Sequence, residues 1–537
     1  MCRHRALYTR NPGYDPITSR KFHPALLFAL LFLAVFALHA PFLRLPYFWD
    51  EAGYYVPTAR DLMLSGSPIA TSVPSNAHPP LVMAYLAIWW KLAGFTPLVT
   101  RTAMLLLSAF SLAGIFRLAK RVANGQVAVA ATLCAALYPV FFAQSSMAHL
   151  DMAAAALTFW ALGSYVQGHL TRTVFWFSLA VLAKETAILA PLALFGWELW
   201  QRLLRWRRPA ASVGNDTAKL VALLLPLVPL GLWYAYHYER TGFLFGNPEF
   251  FRYNVEATLH PVRMLLALLI RVWQTLGYLG LYLLTTASLF AMSRRPVHDG
   301  TGERRPIARD VQFAFLAVIV SYIVFMAVIG GAELARYLLP AVPLVIIIGT
   351  STLYRRVRRW RLVVAVVISG FLLGLVVNPP YGFAPEDNLA YRDYIELHQH
   401  AGNFVQEHYP AAQVLTAWPA SDELSRPYLG YVRRPMRVLR IEDFAVEHLM
   451  EAASMRPQFD VALVFSTKYE PPHDFLANWP LWVEWKVRYF GYHRDVPAEA
   501  AAQILGGQLV YSERLRGQWV GVIEVQPVVA ARLAVPD

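Results

Sequence analysis

Long apolar stretches alternate with short basic ones along this chain, regularly enough to trace a topology. The first apolar run covers about 25–42 and follows a tail with Arg3, Arg5, Arg10, Arg20 and Lys21. Basic loops stay on the cytoplasmic side of a membrane, so the tail is predicted inside and the first helix runs outward. Its n-region is long and no small-x-small cleavage site stands near His39-Ala40, so it reads as an uncleaved span. In the loop that follows, Tyr55, Ala59, Leu62 and Met63 recur on one face of a short helix. A Gly/Ser/Pro/Asn-rich stretch then leads to His78-Pro79-Pro80-Leu81, where prolines suit a helix start. The apolar run 80–94 is followed by a helix of about 97–118 that ends in Arg117, Lys120 and Arg121. With that cluster inside, 80–94 cannot cross, and its Trp89, Trp90 and Lys91 suit the membrane interface. The first outer loop is therefore expected to carry two juxtamembrane helices.

The alternation continues. A helix over 126–142 returns outward, and one opened by Asp151 goes inward to His169 and Arg172. A hairpin over 174–200 turns at Lys184-Glu185 near the outer surface and ends in Arg202, Arg205, Arg207 and Arg208. Then 221–236 goes out, 265–292 comes in to Arg294, Arg295, Arg304, Arg305 and Arg309, and 311–329 goes out. After an outer turn at 330–337, residues 338–354 return to Arg355, Arg356, Arg358, Arg359 and Arg361, and 362–377 exit. The pattern gives about eleven spans with every strongly basic cluster inside.

From Asn378 the pattern changes: charges of both signs return and no run is long enough to span. Helical periodicity covers 388–408, 442–455 and 497–505. Strand-like runs stand at 413–418, 436–441, 460–466, 508–513 and 519–525. The expected organisation is a polytopic α-helical membrane module over 1–377 and a soluble α/β domain over 378–537 on the outer side.

Composition changes this picture little. Of 537 residues 57% are hydrophobic and only 15% charged, too apolar for a soluble chain of this length. A net charge of +13 could point to nucleic acid, but the basic residues sit in clusters between apolar runs, so no nucleic-acid partner is expected. The two cysteines, Cys2 and Cys134, support neither a disulfide framework nor a metal site. HExxH, paired CxxC and P-loop patterns are absent from the sequence.

The candidate chemistry lies at the outer helix ends. Asp50 and Glu51 open the first outer loop, and Asp151, with His149, opens a later helix on the same side. Each acid could simply cap its helix. Two acidic helix starts on one face of a membrane protein also suit removal of a hydroxyl proton. Lys184 could snorkel or pair with Glu185, and Arg336-Tyr337 could anchor the interface. Alternatively these cations, with His78, bind an anionic head group such as phosphate.

In order, Asp50-Glu51, His78-Pro79-Pro80-Leu81, His149-Leu150-Asp151, Ala183-Lys184-Glu185 and Arg336-Tyr337-Leu338-Leu339-Pro340 resemble the GT-C glycosyltransferases of the protein O-mannosyltransferase and aminoarabinose transferase type. The resemblance covers about 25–377. It implies the GT-C fold and a sugar donor linked to polyprenyl phosphate (undecaprenyl or dolichyl). The acceptor would be a hydroxyl on a lipid, glycan or protein, and transfer would proceed with inversion. It implies Asp50 as general base, Asp151 as a second active-site acid, and Glu51 and Tyr54 with the substrate. Lys184, Arg336 and Tyr337 would lie near the donor phosphate, with His78 where some members have lysine, and His149 would bind substrate. The cofactor is left unknown, with a divalent metal open. The expected place is a bacterial inner membrane, with the N-terminus cytoplasmic and the C-terminal domain periplasmic. Two other readings share these features: a lipid-linked sugar transporter or flippase, and a non-catalytic GT-C scaffold subunit. Acids at helix ends rather than mid-span favour the enzyme over the transporter.

Overall fold

The computed structural model describes residues 23–206, 214–300, 302–471 and 479–525. The basic N-terminal tail, Cys2 and the Arg207–Arg208 pair lie outside them. The chain forms two compact units: Met1–Leu43 with Thr58–Val377, and Arg44–Pro57 with Asn378–Asp537. The start of the first outer loop, Asp50 included, thus belongs to the same unit as the C-terminal part.

The first unit is helical. Five of its helical segments are long and apolar enough to cross a membrane: Pro24–Phe42, Pro97–Val122, Thr217–Thr241, Pro261–Met292 and Arg309–Val328. Each coincides with a span read from the apolar runs. Among the others, Gly125–Leu137, Leu150–Val166, Leu170–Ala183 and Trp360–Val376 are apolar but shorter. The expected helix over 126–142 breaks at Tyr138, where Pro139 starts a new short helix that runs to Gln144. The expected helix over 265–292 bends after Leu276, where Leu279 (φ 46°) and Gly280 (φ 89°) leave helical geometry. A proline lacks the N–H that would continue a helix, and a left-handed residue points the chain out of it.

Both helices of the first outer loop are present, Val56–Ser65 and Leu81–Ala93. At 13 residues the second is only about 20 Å long, short of a bilayer core of about 30 Å. On the first, Tyr55 and Ala59 are buried as their spacing implies, while Leu62 and Met63 are half-buried. Asp61, a charged residue on the same helix, is buried as well.

The centre of the unit is the Leu150–Val166 helix, which packs on Pro97–Val122 and Leu170–Ala183. It is apolar all round and buried along nearly its whole length, as a helix surrounded by others must be. Thr96 caps the Pro97–Val122 helix by accepting from the Val99 N–H, with Pro97 in the first turn. Gly114 on that helix leaves room for Trp160, which a Cβ would meet at 3.1 Å. Trp160 donates its indole N–H to the Phe110 carbonyl at 3.0 Å and stacks on the Phe110 ring. The close crossing positions the N-terminal end of the central helix, where Asp151 stands.

The second unit contains a five-stranded mixed sheet in the order Arg437–Ile441, Gln413–Ala417, Val461–Phe465, Gln518–Val525, Gly507–Leu515. The first three strands are parallel, and the last two pair antiparallel with their neighbours. Val461–Phe465 is buried at every position, as a central parallel-type strand covered on both faces should be. All five strands and the helices Ala390–His408, Val446–Ser454 and Ala498–Leu505 stand where the sequence periodicity puts them. The short Ala420–Ser425 helix and the Pro480–Phe490 helix do not emerge from that periodicity.

Within this unit the 44–57 segment is tied down by aromatic side chains. Tyr431 donates its hydroxyl to the Tyr47 carbonyl at 3.0 Å, and the Tyr47 N–H reaches the Leu429 carbonyl. Phe48 packs edge-on against Tyr391 and Tyr394. Trp418 contacts both Trp49 and Tyr54, with centroids 5.3 and 5.6 Å away. It lies so close over Gly53 that a Cβ there would fall 2.6 Å from the indole.

Candidate active site

In the second unit the chain turns sharply at Trp49-Asp50. Trp49 has φ 45°, a left-handed conformation that a bulky side chain rarely adopts. The π-helical turn Glu51–Tyr55 follows at once. Asp50 precedes that turn, but its side chain makes no capping bond. Instead Glu51, fully buried, reaches back and accepts the Phe48 N–H at 2.8 Å. Capping therefore does not account for Asp50, which is half-buried, whereas Glu51 stabilises the turn. Tyr54 is half-buried beside Trp418.

The first unit gathers five of the sequence candidates, His149, Asp151, Lys184, Arg336 and Tyr337. Asp151 sits in the first turn of the central helix, 3% exposed. Lys184, at the C-terminal end of the neighbouring helix, donates from Nζ to Asp151 Oδ1 at 2.6 Å. Arg336 Nε stands 3.4 Å from Asp151 Oδ2. Both Asp151 oxygens thus face cations, an arrangement suited to holding them in place. Lys184 lies 4.2 Å above the centre of the Tyr337 ring, with Arg336 and Arg271 at its rim.

His149 is completely buried between Gln144 and Arg336. Gln144 Oε1 is 2.7 Å from Nδ1, and Arg336 Nη1 is 3.0 Å from Nδ1 and 3.3 Å from Nε2. Arginine only donates, so a neutral ring with Nδ1–H donating to Gln144 and Nε2 accepting from Arg336 satisfies this set. Burial, with the charges of Arg336, Arg101 and Lys184, holds His149 well below the ordinary histidine value and so keeps it neutral.

His78 joins the group through Glu185, its Nδ1 3.0 Å from Glu185 Oε2. Burial alone would raise the Glu185 carboxyl, but His78 beside it and Lys184 next to it bring it down to about 2. The loop before His78 is fixed by the Leu227–Thr241 helix. Trp233 donates to the Ala77 carbonyl at 2.8 Å, and Ser75 Oγ pairs with His237 Nε2 at 2.8 Å. Ala77 has φ 57°. Among the described residues four non-glycine positions have positive φ, and two directly precede Asp50 and His78. Such strain concentrates where a fold must aim a particular side chain.

Three buried arginines were missed: Arg101, Arg271 and Arg263. Arg101 donates to the Ser146 carbonyl at 3.1 Å, just before His149. Arg271 pairs with Glu333 at 2.9 Å and donates to the carbonyls of Met326, Ala332 and Leu334. Arg263 donates to the Gly330 and Gly331 carbonyls and approaches Glu333. Arg271 and Arg263 together shape the 330–337 turn that presents Arg336 and Tyr337. The available signal was a charged residue inside an apolar run, as in TPLVTRTAMLLL and LLALLIRVWQ. Against the cations Arg101, Lys184, Arg263, Arg271 and Arg336 stand the acids Asp151, Glu185 and Glu333. Burial raises Glu333 against the pull of Arg271 and Arg263. A buried positive excess is the electrostatic complement of an anion.

Residues 77–233 match the family described as dolichyl-phosphate-mannose-protein mannosyltransferase. The fold matches that of ArnT from Cupriavidus metallidurans bound to undecaprenyl phosphate, at 16% identity, over 93% of this chain and 97% of that one, with a TM-score of 0.52. The chain has the GT-C fold. An oligosaccharyltransferase from Archaeoglobus fulgidus in the apo form aligns over 83% of this chain and 70% of its own, at 10% identity and a TM-score of 0.45. A search of characterised proteins by sequence gives no match. The family match includes His78, His149, Asp151, Lys184 and Glu185, and does not extend to Asp50 or Arg336.

A resident divalent metal does not fit Asp151. Among the described residues no three His, Cys, Asp or Glu side chains group as ligands, and a metal on Asp151 would have to displace Lys184 or Arg336. Asp61 illustrates a different use of a buried acid. Its Oδ2 accepts the Thr71 and Ser72 N–H groups at 2.8 and 2.7 Å and pins the loop that leads to His78. Burial pushes its carboxyl up, but these donors outweigh burial and hold it below the usual aspartate value. Its contribution to loop stability is therefore complete above about pH 4 and is lost as pH falls through the lower folded value. Asp61→Ala should weaken the loop by about 1.5–3 kcal/mol, the range for hydrogen bonds to a charged group. Faster hydrogen exchange at the Thr71 and Ser72 amides would register this; unchanged exchange at neutral pH would refute it.

Proposed function

We propose that this protein is a glycosyltransferase that moves a sugar from a polyprenyl-phosphate donor to an acceptor hydroxyl, with inversion at the anomeric carbon. The observation that carries the proposal is the buried positive excess around Asp151, Lys184 and Arg336. It suits a leaving group that departs as a phosphate anion. ArnT, with which this chain shares its fold, was solved with undecaprenyl phosphate. That ligand is the model for the donor's leaving group here.

In the proposed step the acceptor oxygen bonds to the anomeric carbon while the bond from that carbon to the phosphate oxygen breaks. The transition state is oxocarbenium-like, as in other glycosyl transfers. Asp50 takes the acceptor proton as general base. The electron pair of the broken bond leaves with polyprenyl phosphate, and Lys184 and Arg336 stabilise the charge that develops there. Asp151 fixes both cations, neutral His149 fixes Arg336 from its other side, and Tyr337 supports Lys184. His78, held by Glu185, is a further donor toward the phosphate. Glu51 keeps the Asp50 turn in shape, and Tyr54 borders the acceptor. The acceptor belongs to a lipid, glycan or protein at the outer face of a bacterial inner membrane, and residues 378–537 form a periplasmic domain.

The test supplies membranes or purified protein with a radiolabelled polyprenyl-phosphate sugar and follows release of polyprenyl phosphate. Release by the wild type and its loss in Arg336→Ala is the expected result. With acceptor-containing envelope extract present, release that is equal in the two proteins would overturn the assignment of these cations to the leaving group.

A further inference from the structure

Among the described residues from 378 onward, the exposed large apolar side chains are Val446 and Met450 on one helix and Trp479, Leu481, Val483 and Val487 at another. The second helix, Pro480–Phe490, buries none of its side chains. Yet residues 479–490 also include Trp482, Trp485, Tyr489 and Phe490, all half-exposed. A helix in a water-soluble domain carries this much apolar surface in order to bury it. Here Val487 remains 55% exposed. Core packing therefore does not explain the sequence LWVEWKVRYF.

We propose that Pro480–Phe490 lies in the plane of a bilayer surface and holds the C-terminal part of the chain against phospholipid. Its 11 residues span about 16 Å, far less than a bilayer core of about 30 Å, so it lies along the membrane rather than across it. Tryptophan and tyrosine collect at the head-group level, where their rings are apolar and their N–H and O–H groups stay wet. Lys486 and Arg488 outnumber Glu484 on the helix, so its charge suits anionic head groups. Lys486 lies 4.4 Å over the Tyr492 ring and Arg488 5.6 Å over Tyr489, an arrangement that places a basic group beside an interfacial aromatic. The bilayer is also covalently at hand, because Asn378 comes two residues after the apolar Trp360–Val376 helix. This is a lipid surface that the transfer reaction itself does not require.

The experiment uses the full-length protein in nanodiscs of phosphatidylcholine and phosphatidylglycerol. Cys2 is replaced by serine, and Cys134 is left in place because it is buried. Single cysteines at Val483→Cys and Val487→Cys carry a bimane label, and Glu407→Cys, exposed on the Ala390–His408 helix, is the control. Lipids bearing a quencher near the glycerol should quench both helix labels several-fold more than the control, and aqueous iodide should quench them less. Equal lipid quenching at all three sites would overturn the proposal. Iodide protection without lipid quenching would also overturn it, and would assign the helix to a protein contact or a second copy of the chain.

Discussion

Changing Asp50 to Asn should lower turnover by about 10²–10⁴-fold, the contribution of a positioned general base, while donor binding stays unchanged. The two side chains have nearly the same shape, so the Trp49 turn and the packing of Phe48 on Tyr391 and Tyr394 survive the change. An amide cannot take the acceptor proton. The neighbouring Glu51 cannot replace it either, since its carboxylate is buried and occupied by the Phe48 N–H. Glu51→Gln, which keeps an oxygen for that N–H, should cost far less turnover. The assay compares single-turnover release of polyprenyl phosphate with donor affinity measured separately. Equal turnover in wild type and Asp50→Asn would remove Asp50 as the base. A loss of donor binding in the variant would instead show that Asp50 helps to hold the donor.

Much of this architecture is legible in the sequence because it depends on local patterns. Apolar runs mark the spans, since a bilayer demands length and hydrophobicity in one continuous stretch. Short strand-like runs mark all five strands of the C-terminal sheet, including the continuously apolar Val461–Phe465. Helix interruptions are less visible, and Tyr138-Pro139 and the bend at 277–280 divide runs whose hydropathy is unbroken. Strand order is not legible, because Gln413–Ala417 pairs with two strands that lie well beyond it in the chain. The same holds for the candidate site. Residue types at outer helix ends pointed to Asp151, Lys184 and Arg336 separately. That two cations share one carboxylate depends on contacts across 33 and 185 residues of chain, which no local spacing encodes. The Asp50 turn shows the opposite limit. Its sequence suggests a capped helix start, but the aromatic surroundings supplied by residues 391–431 select a strained turn with the capping bond made by Glu51.

The Asp151–Lys184 pair separates folding from catalysis. Lys184→Met keeps the length of the side chain and removes its charge, which leaves Asp151 buried with only Arg336 at 3.4 Å. Breaking a buried ion pair from one side costs about 3–5 kcal/mol, so this variant should melt at a clearly lower temperature. Adding Asp151→Asn removes the stranded charge, and most of the lost stability should return. Turnover should not return with it. If Lys184 stabilises the departing phosphate, its loss costs about 10²–10³-fold in rate, as for other preorganised donors at a site of developing charge, whatever stands at position 151. Thermal melts and polyprenyl phosphate release, measured on the single and double variants, test both statements together. A double variant that regains turnover along with stability would mean that Lys184 only neutralises Asp151, and the stabilisation of the leaving group would then fall to Arg336.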